Sequence, residues 1–327
     1  MAKSSANKAH RALVILSAVL LLGGAAVGAT KKGAASKPAS GKSAKKPTPT
    51  PTPAPLAPGE LPLAAKSAIL LDAKSGDVLY EKNPDEMQYP ASATKILTAL
   101  IVIEQGDLDR RVVIQIEDTK IEPSALEFKP GEEYTRRHLL FAMLLKSAND
   151  VALALARDNA GSVAAFADKM NRRAEELGAK ATHFTNPHGL HDPHHFTTAR
   201  DLATIARFAM QQPLFREIVA TPEIGMARGD EWVVVKNHNR LLAMFPGCIG
   251  VKTGYTRPAQ QVLVSSAIRA GCEAISVVMH SDKPGIWNDS KTLLEHAFEK
   301  LGVPAAPAAP ATSLTPPGEP SGAADGK

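Results

Sequence analysis

Apolar residues run almost unbroken from Ile96 to Ile103, between Pro90 and Gly106. Proline is excluded from helix interiors and glycine commonly closes a helix, so this run predicts a helix from about Ser92 to about Glu104. Ile96, Leu97, Ala99, Leu100, Ile101, Val102 and Ile103 make it apolar nearly all round, which predicts burial between other layers. Short apolar runs bounded by turn residues predict strands. Residues 68–72 and 77–80 read as a hairpin around Lys74-Ser75-Gly76, and residues 262–268 and 274–279 as a second around Ala270-Gly271. Further strand-like runs cover 112–116, 232–236 and 251–252. Stretches rich in Ala and Leu predict helices over 137–145, 149–157, 163–177 and 199–210, with a last helix over 287–301. Strands at both ends and helices between them predict an α+β fold, in which the two terminal hairpins join in one antiparallel sheet with helices packed on it.

Composition divides the 327-residue chain. Residues 1–29 place Lys3, Lys8 and Arg11 before the apolar run Ala12 to Ala29, the pattern of a secretory signal cleaved after Ala29 or, alternatively, of a retained membrane anchor. Either predicts an exported protein working in the periplasm or cell envelope, at the outer face of the cytoplasmic membrane. Residues 30–60 are a Lys/Ala/Ser and Thr-Pro linker, and residues 304–327 a Pro/Ala tail expected to be disordered. The catalytic domain is therefore expected at 61–303. Nine of the 38 Lys/Arg precede Glu60 and none of the 33 Asp/Glu does, so the rest of the chain carries 29 basic against 33 acidic residues, a net charge of −4. With few aromatics and no basic stripe, no nucleic-acid partner is expected. Cys248 and Cys272, in an oxidising compartment, leave open a disulfide or two buried free thiols.

Three polar constellations interrupt this apolar pattern. Ser92 and Lys95 stand three apart at the start of the buried helix, hence on one face, beside backbone N–H groups that lack an intrahelical partner. A hydroxyl, an adjacent base and free N–H donors are the parts of an acyl-transfer site. Ser-x-x-Lys also occurs at Ser5 and Ser43, but only Ser92 opens a buried helix. Ser147-Ala148-Asn149 breaks two helical runs and reads either as an exposed functional loop tip or as a helix N-cap supported by Asp150. Lys252-Thr253-Gly254 offers an ammonium, a hydroxyl and a close backbone approach for a carboxylate, or else an edge-strand lysine that discourages aggregation.

Together and in this order, the three resemble the motifs of penicillin-binding proteins. The sequence is similar to the low-molecular-mass, serine-type D-alanyl-D-alanine carboxypeptidase family. The carrying stretches are Leu71-Asp72-Ala73, Pro90 to Lys95, Lys129-Pro130-Gly131-Glu132, Leu145 to Asp150, Asn186 to Leu190, Asn237 and Asn239 with Leu241-Leu242, and Gly250 to Thr256. It departs from the family at Ile249, usually acidic, and at Gln260, usually glycine in a turn. The resemblance implies a β-lactamase/transpeptidase-like fold with a helical subdomain beside the sheet. It implies removal of the terminal D-Ala from peptidoglycan stem pentapeptides, inhibition by β-lactams, and no cofactor or metal.

In that reading Ser92 is the nucleophile, Lys95 its base, Ser147 a proton relay and Asn149 a holder of Lys95 or the substrate amide. Lys252 and Thr253, with Gly254 and Tyr255, bind the substrate, and the backbone N–H groups of Ser92 and Tyr255 form the oxyanion hole. His188, His191, His194 and His195 cluster with Asp192, but in a short, broken stretch that matches a metal-free loop of the family. A class A β-lactamase is disfavoured because no Glu-x-x-x-Asn element lies between Asn149 and Lys252. A D,D-endopeptidase cutting crosslinks and a non-catalytic penicillin sensor are the remaining alternatives.

Overall fold

The computed structural model describes residues 58–304. The expected signal segment, most of the linker and all of the tail after residue 304 lie outside the described residues. A five-stranded antiparallel sheet forms the frame, in spatial order β2-β1-β9-β8-β7. Its strands are β1 (Ser67–Asp72), β2 (Val78–Lys82), β7 (Cys248–Thr256), β8 (Gln260–Arg269) and β9 (Cys272–Ser281). The terminal hairpins do join: β1 runs against β9 from Ser67↔Met279 to Asp72↔Ala274.

Both faces of this sheet are covered. On β1, Ile69 and Leu71 face one core while Ala68 and Leu70 face the other. On β9, Ile275, Val277 and Met279 face the first and Ala274 and Val278 the second. A strand buried on both sides needs apolar residues at successive positions, which is why these runs read as continuous rather than alternating. Helix α8 (Gly285–Lys300) covers the second face with Leu293, Leu294, Ala297 and Phe298.

The first face carries the helices. Helix α1 (Lys95–Gln105) lies in the middle of that core, with Ile96, Leu97, Ala99, Leu100, Ile101 and Val102 buried. Around it pack α2 (Arg136–Lys146), α3 (Asn149–Ala160), α4 (Val163–Glu176), α5 (Ala199–Ala209) and α6 (Pro213–Ala220). The remaining elements are the short pair β3 (Arg111–Val113) and β4 (Glu133–Thr135), the hairpin β5 (Glu223–Arg228) and β6 (Glu231–Lys236), and the single turn α7 (Leu241–Met244).

Two expectations need correction. The helix expected to begin at Ser92 begins instead with a 3-10 turn over Ala91–Thr94, and α-helical bonding starts at Lys95. The Thr94 hydroxyl donates to the Ala91 carbonyl across 2.8 Å, so a side chain as well as the backbone closes this tight first turn. The strand expected over 112–116 pairs only at Arg111–Val113, because beyond it Ile114 bonds the Glu132 and Gly131 backbone and Gln115 bonds the Asp118 carboxylate. Helix α6 and strands β4 and β5 have no counterpart in the sequence reading. Strand β5 contains Gly225 and draws its partners from β6, so its own pattern is weak.

Candidate active site

Ser92 sits in the 3-10 turn ahead of α1, and Lys95 is the first residue of the helix, completely buried. Lys95 Nζ has three neighbours: Ser92 Oγ at 3.2 Å, Asn149 Oδ1 at 2.6 Å and the His188 carbonyl oxygen at 2.7 Å. Two of them are carbonyl oxygens, which only accept. The third is a hydroxyl, which can also donate. Desolvation first, and then the charge of Lys252, hold the Lys95 ammonium well below its ordinary pKa, partly opposed by Asp150. A neutral amine has two N–H bonds and one lone pair. With the N–H groups spent on Asn149 and His188, the lone pair is left for the Ser92 hydroxyl proton.

The Ser147-Ala148-Asn149 break is not a side-chain cap. Ala148 takes the N-cap position of α3 and makes no side-chain bond there. Ser147 is the C-cap of α2, buried and left-handed at φ 63°, a conformation uncommon outside glycine. Asn149 uses its carbonyl on Lys95 and donates through Nδ2 to the Pro123 carbonyl at 2.5 Å, while its backbone N–H donates to Ser124. Asp150 is buried next to it and accepts the backbone N–H groups of Leu126 and Glu127. The segment around residues 123–127 therefore fixes the orientation of Asn149.

Strand β7 supplies the third group. Lys252 is 2 % exposed, forms no ion pair among the described residues, and donates to the Thr253 carbonyl at 2.9 Å. Burial lowers its pKa to about 7. Two residues on, Gly254 lies against the turn that holds Ser92: a Cβ there would stand 2.9 Å from the Ser92 backbone nitrogen and 3.0 Å from the Ala91 Cβ. Tyr255 follows at the rim, with its ring exposed.

Sequence reasoning missed the segment that clamps the turn from the other side. Thr98 donates to the Pro187 carbonyl, and Lys95, one turn earlier, to the His188 carbonyl, so residues 187–188 lie along one stripe of α1. Gly189 then presses on the turn so closely that a Cβ would fall 1.8 Å from the Ala91 oxygen. His195 accepts the Thr185 N–H at Nδ1, which leaves Nε2–H to donate to Thr94 Oγ1 at 2.8 Å. Burial above all pushes His195 down to about 4, so it stays neutral in this role. The Pro187 and Gly189 punctuation was visible in the sequence; that it marks a backbone clamp on Ser92 and Lys95 was not.

Comparison with known proteins decides the family. The D-alanyl-D-alanine carboxypeptidase family, peptidase family S11, matches residues 54–283. The chain belongs to this family. It is 37% identical over 240 residues to the D-alanyl-D-alanine carboxypeptidase DacB2 of Mycobacterium tuberculosis, covering 72% of this chain and 82% of that protein. It is 34% identical over 207 residues to a D-alanyl-D-alanine endopeptidase of Pseudomonas aeruginosa, covering 62% of this chain and 66% of that protein. The crystal structure of the Streptomyces K15 DD-transpeptidase superposes with a TM-score of 0.70 at 32% identity, covering 73% of this chain and 99% of that one. The chain is thus a hydrolase of the serine peptidase class with the transpeptidase fold, as the resemblance implied.

Proposed function

We propose that this protein removes the terminal D-Ala from peptidoglycan stem pentapeptides through an acyl-enzyme on Ser92. The observation that carries the reading is the environment of Lys95: a fully buried amine whose only proton-bearing neighbour among the three is the Ser92 hydroxyl. In this reading Lys95 takes the Ser92 proton as Oγ attacks the carbonyl of the penultimate D-Ala. Negative charge on that carbonyl oxygen is received by the backbone N–H groups of Ser92 and Tyr255, and the contact of Gly254 with the Ser92 nitrogen brings the two segments together. Ser147 passes a proton to the departing D-Ala amine, and water then hydrolyses the ester. Lys252 and Thr253 hold the free carboxylate of the leaving residue, a role favoured by a buried cation with no ion-pair partner among the described residues.

The same reading places the enzyme outside the cytoplasm, with residues 1–29 as a cleaved export signal and the N-terminal end as the part that meets the membrane. No helix among the described residues is long and apolar enough to cross a membrane. The test is D-Ala release from purified pentapeptide, run beside crosslinked muropeptides, with benzylpenicillin labelling read by intact mass. Pentapeptide should be trimmed, Ser92 should carry one β-lactam, and Ser92→Ala should do neither. Cleavage of crosslinks without release from pentapeptide would make the protein an endopeptidase. Labelling that persists in Ser92→Ala would remove Ser92 from its role.

A further inference from the structure

Asp150 is 3 % exposed and forms no ion pair among the described residues. Its carboxylate spends both oxygens on the backbone. Oδ1 accepts the Val151 N–H at 2.9 Å and the Leu126 N–H at 3.2 Å, and Oδ2 accepts the Leu126 and Glu127 N–H groups, each at 3.0 Å. An ionised carboxylate offers about four lone-pair sites, and these contacts fill them. Burial raises the Asp150 pKa and the same N–H groups pull it back, so the surroundings are built for the anion.

Residues 123–127 depend on that anion for their course. Ser124 and Glu127 have φ 66° and 63°, in the left-handed region that an L side chain occupies only under constraint. Asp150 supplies the constraint from one side. From the other, the Arg228 guanidinium on β5 donates to the Leu126 carbonyl at 3.3 Å. The segment so held accepts two bonds from Asn149, Nδ2–H to the Pro123 carbonyl and the backbone N–H to the Ser124 carbonyl. With its amide nitrogen anchored there, Asn149 turns Oδ1 to Lys95 Nζ at 2.6 Å. A carboxylate in the first turn of α3 also suits the helix dipole. A dipole, however, asks for no contact with residues 23 and 24 positions earlier in the chain.

We propose that Asp150 is a positioning residue for the acyl-transfer site: its carboxylate clamps residues 123–127 so that Asn149 is aimed at Lys95, and its charge offsets part of the positive charge buried with Lys95 and Lys252. This rests on the acyl-enzyme reading above. Of the charges bearing on Lys95, Lys252 disfavours its ammonium form and Asp150 favours it. His188 and His195 also stand near, but burial first of all holds them at about 3 and about 4, so both are neutral when Lys95 works. Glu122, Glu127 and Lys129 share with Asp150 the wall of a cavity of about 410 Å³, and all three are exposed, so solvent screens their charges.

The test is the pH profile of acylation by benzylpenicillin on the full-length protein, followed by intact mass. Asp150→Asn keeps the shape, removes the charge and turns an NH₂ group on the backbone donors. It should slow acylation at its pH optimum roughly tenfold or more. It should also move the acid limb about one unit to lower pH, because Lys95 without its neighbouring anion gives up its proton more readily. Asp150→Glu keeps the charge on a longer arm, and should slow acylation while leaving the limb in place. Slower acylation with an unmoved limb in a folded Asp150→Asn variant would mark a merely structural residue and overturn the proposal. If Asp150→Asn does not fold, Asp150→Glu carries the test, and acylation at the wild-type rate in that variant would overturn the proposal too. A wild type that penicillin does not label at any pH would instead refute the acyl-enzyme reading itself.

Discussion

Gly254 on β7 lies so close to Ser92 that a single methyl group there would stand 2.9 Å from the Ser92 backbone nitrogen. The contact ties the edge strand of the sheet to the turn that opens α1. Its φ is not left-handed, so the glycine is required by space rather than by backbone conformation. Gly254→Ala should therefore fold, push β7 and the Ser92 turn apart by a fraction of an ångström, and slow penicillin acylation on the order of 10²-fold. Circular dichroism and stopped-flow acylation check both halves. Near-normal acylation would mean that the spacing of these two segments does not set the oxyanion geometry.

The two buried lysines should give a bell-shaped dependence of kcat/KM on pH for a peptide with a free terminal carboxylate. In the mechanism proposed above, Lys95 must be neutral to accept the Ser92 proton, and its depressed pKa sets the acid limb. In the same mechanism Lys252 must be charged to hold the carboxylate, and with a pKa of about 7 it loses that charge as pH rises through neutrality. Because the two ammonium groups interact, the limbs belong to the pair. Amidating the terminal D-Ala should lower kcat/KM and remove the alkaline limb only. An alkaline limb that survives amidation would assign it to another group. Lys95→Arg should be inactive across the range, since arginine cannot give up its proton in a protein.

Lys252 also makes a stability prediction. Its folded pKa, about 7, lies below the ordinary 10.5, so between these values the unfolded chain binds the extra proton and stability rises with pH. Below pH 7 the cost of keeping the cation buried is fully present, on the order of 5 kcal/mol. Lys252→Met, similar in length and uncharged, should raise Tm by several degrees at pH 6 while abolishing peptidase activity, and the gain should shrink towards pH 10. Calorimetry of the two proteins at both pH values measures it. A variant less stable than the wild type at pH 6 would show that Lys252 is compensated in the folded state.

Gln260 has φ 55°, in the left-handed region that an L side chain occupies at a cost. It follows Thr256-Arg257-Pro258-Ala259 in the turn from β7 to β8, one of the two positions at which the sequence departs from the family pattern. Gln260→Gly should relieve on the order of 1 kcal/mol and raise Tm by ~2–4 °C without loss of acylation. A fall in Tm would show that side-chain bonding of Gln260 to the Arg257 carbonyl outweighs the backbone strain.

The sequence by itself determined the frame and the reactive residue types. Continuous apolar runs gave strands buried on both faces, and the run from Ile96 gave the central helix. Its first turn could hold Ser92 and Lys95 on one side because three-residue spacing is a property of any helix. Gln260 stood out only through the resemblance, which puts glycine at that position; that its φ is positive came from the structure. What local pattern could not reach was everything set by contacts distant in the chain. Lys95 is held by Asn149, 54 residues away, and by His188, 93 residues away. Ser147-Ala148-Asn149 reads equally well as a cap until the fold places Asn149 against Lys95, and Lys252 reads as an edge lysine until β7 buries it. The pKa values that divide base from cation come from that burial and from the nearness of the two amines, neither of which is encoded in spacing. Only the tertiary structure, by closing these long loops around α1, turns three short motifs into one site.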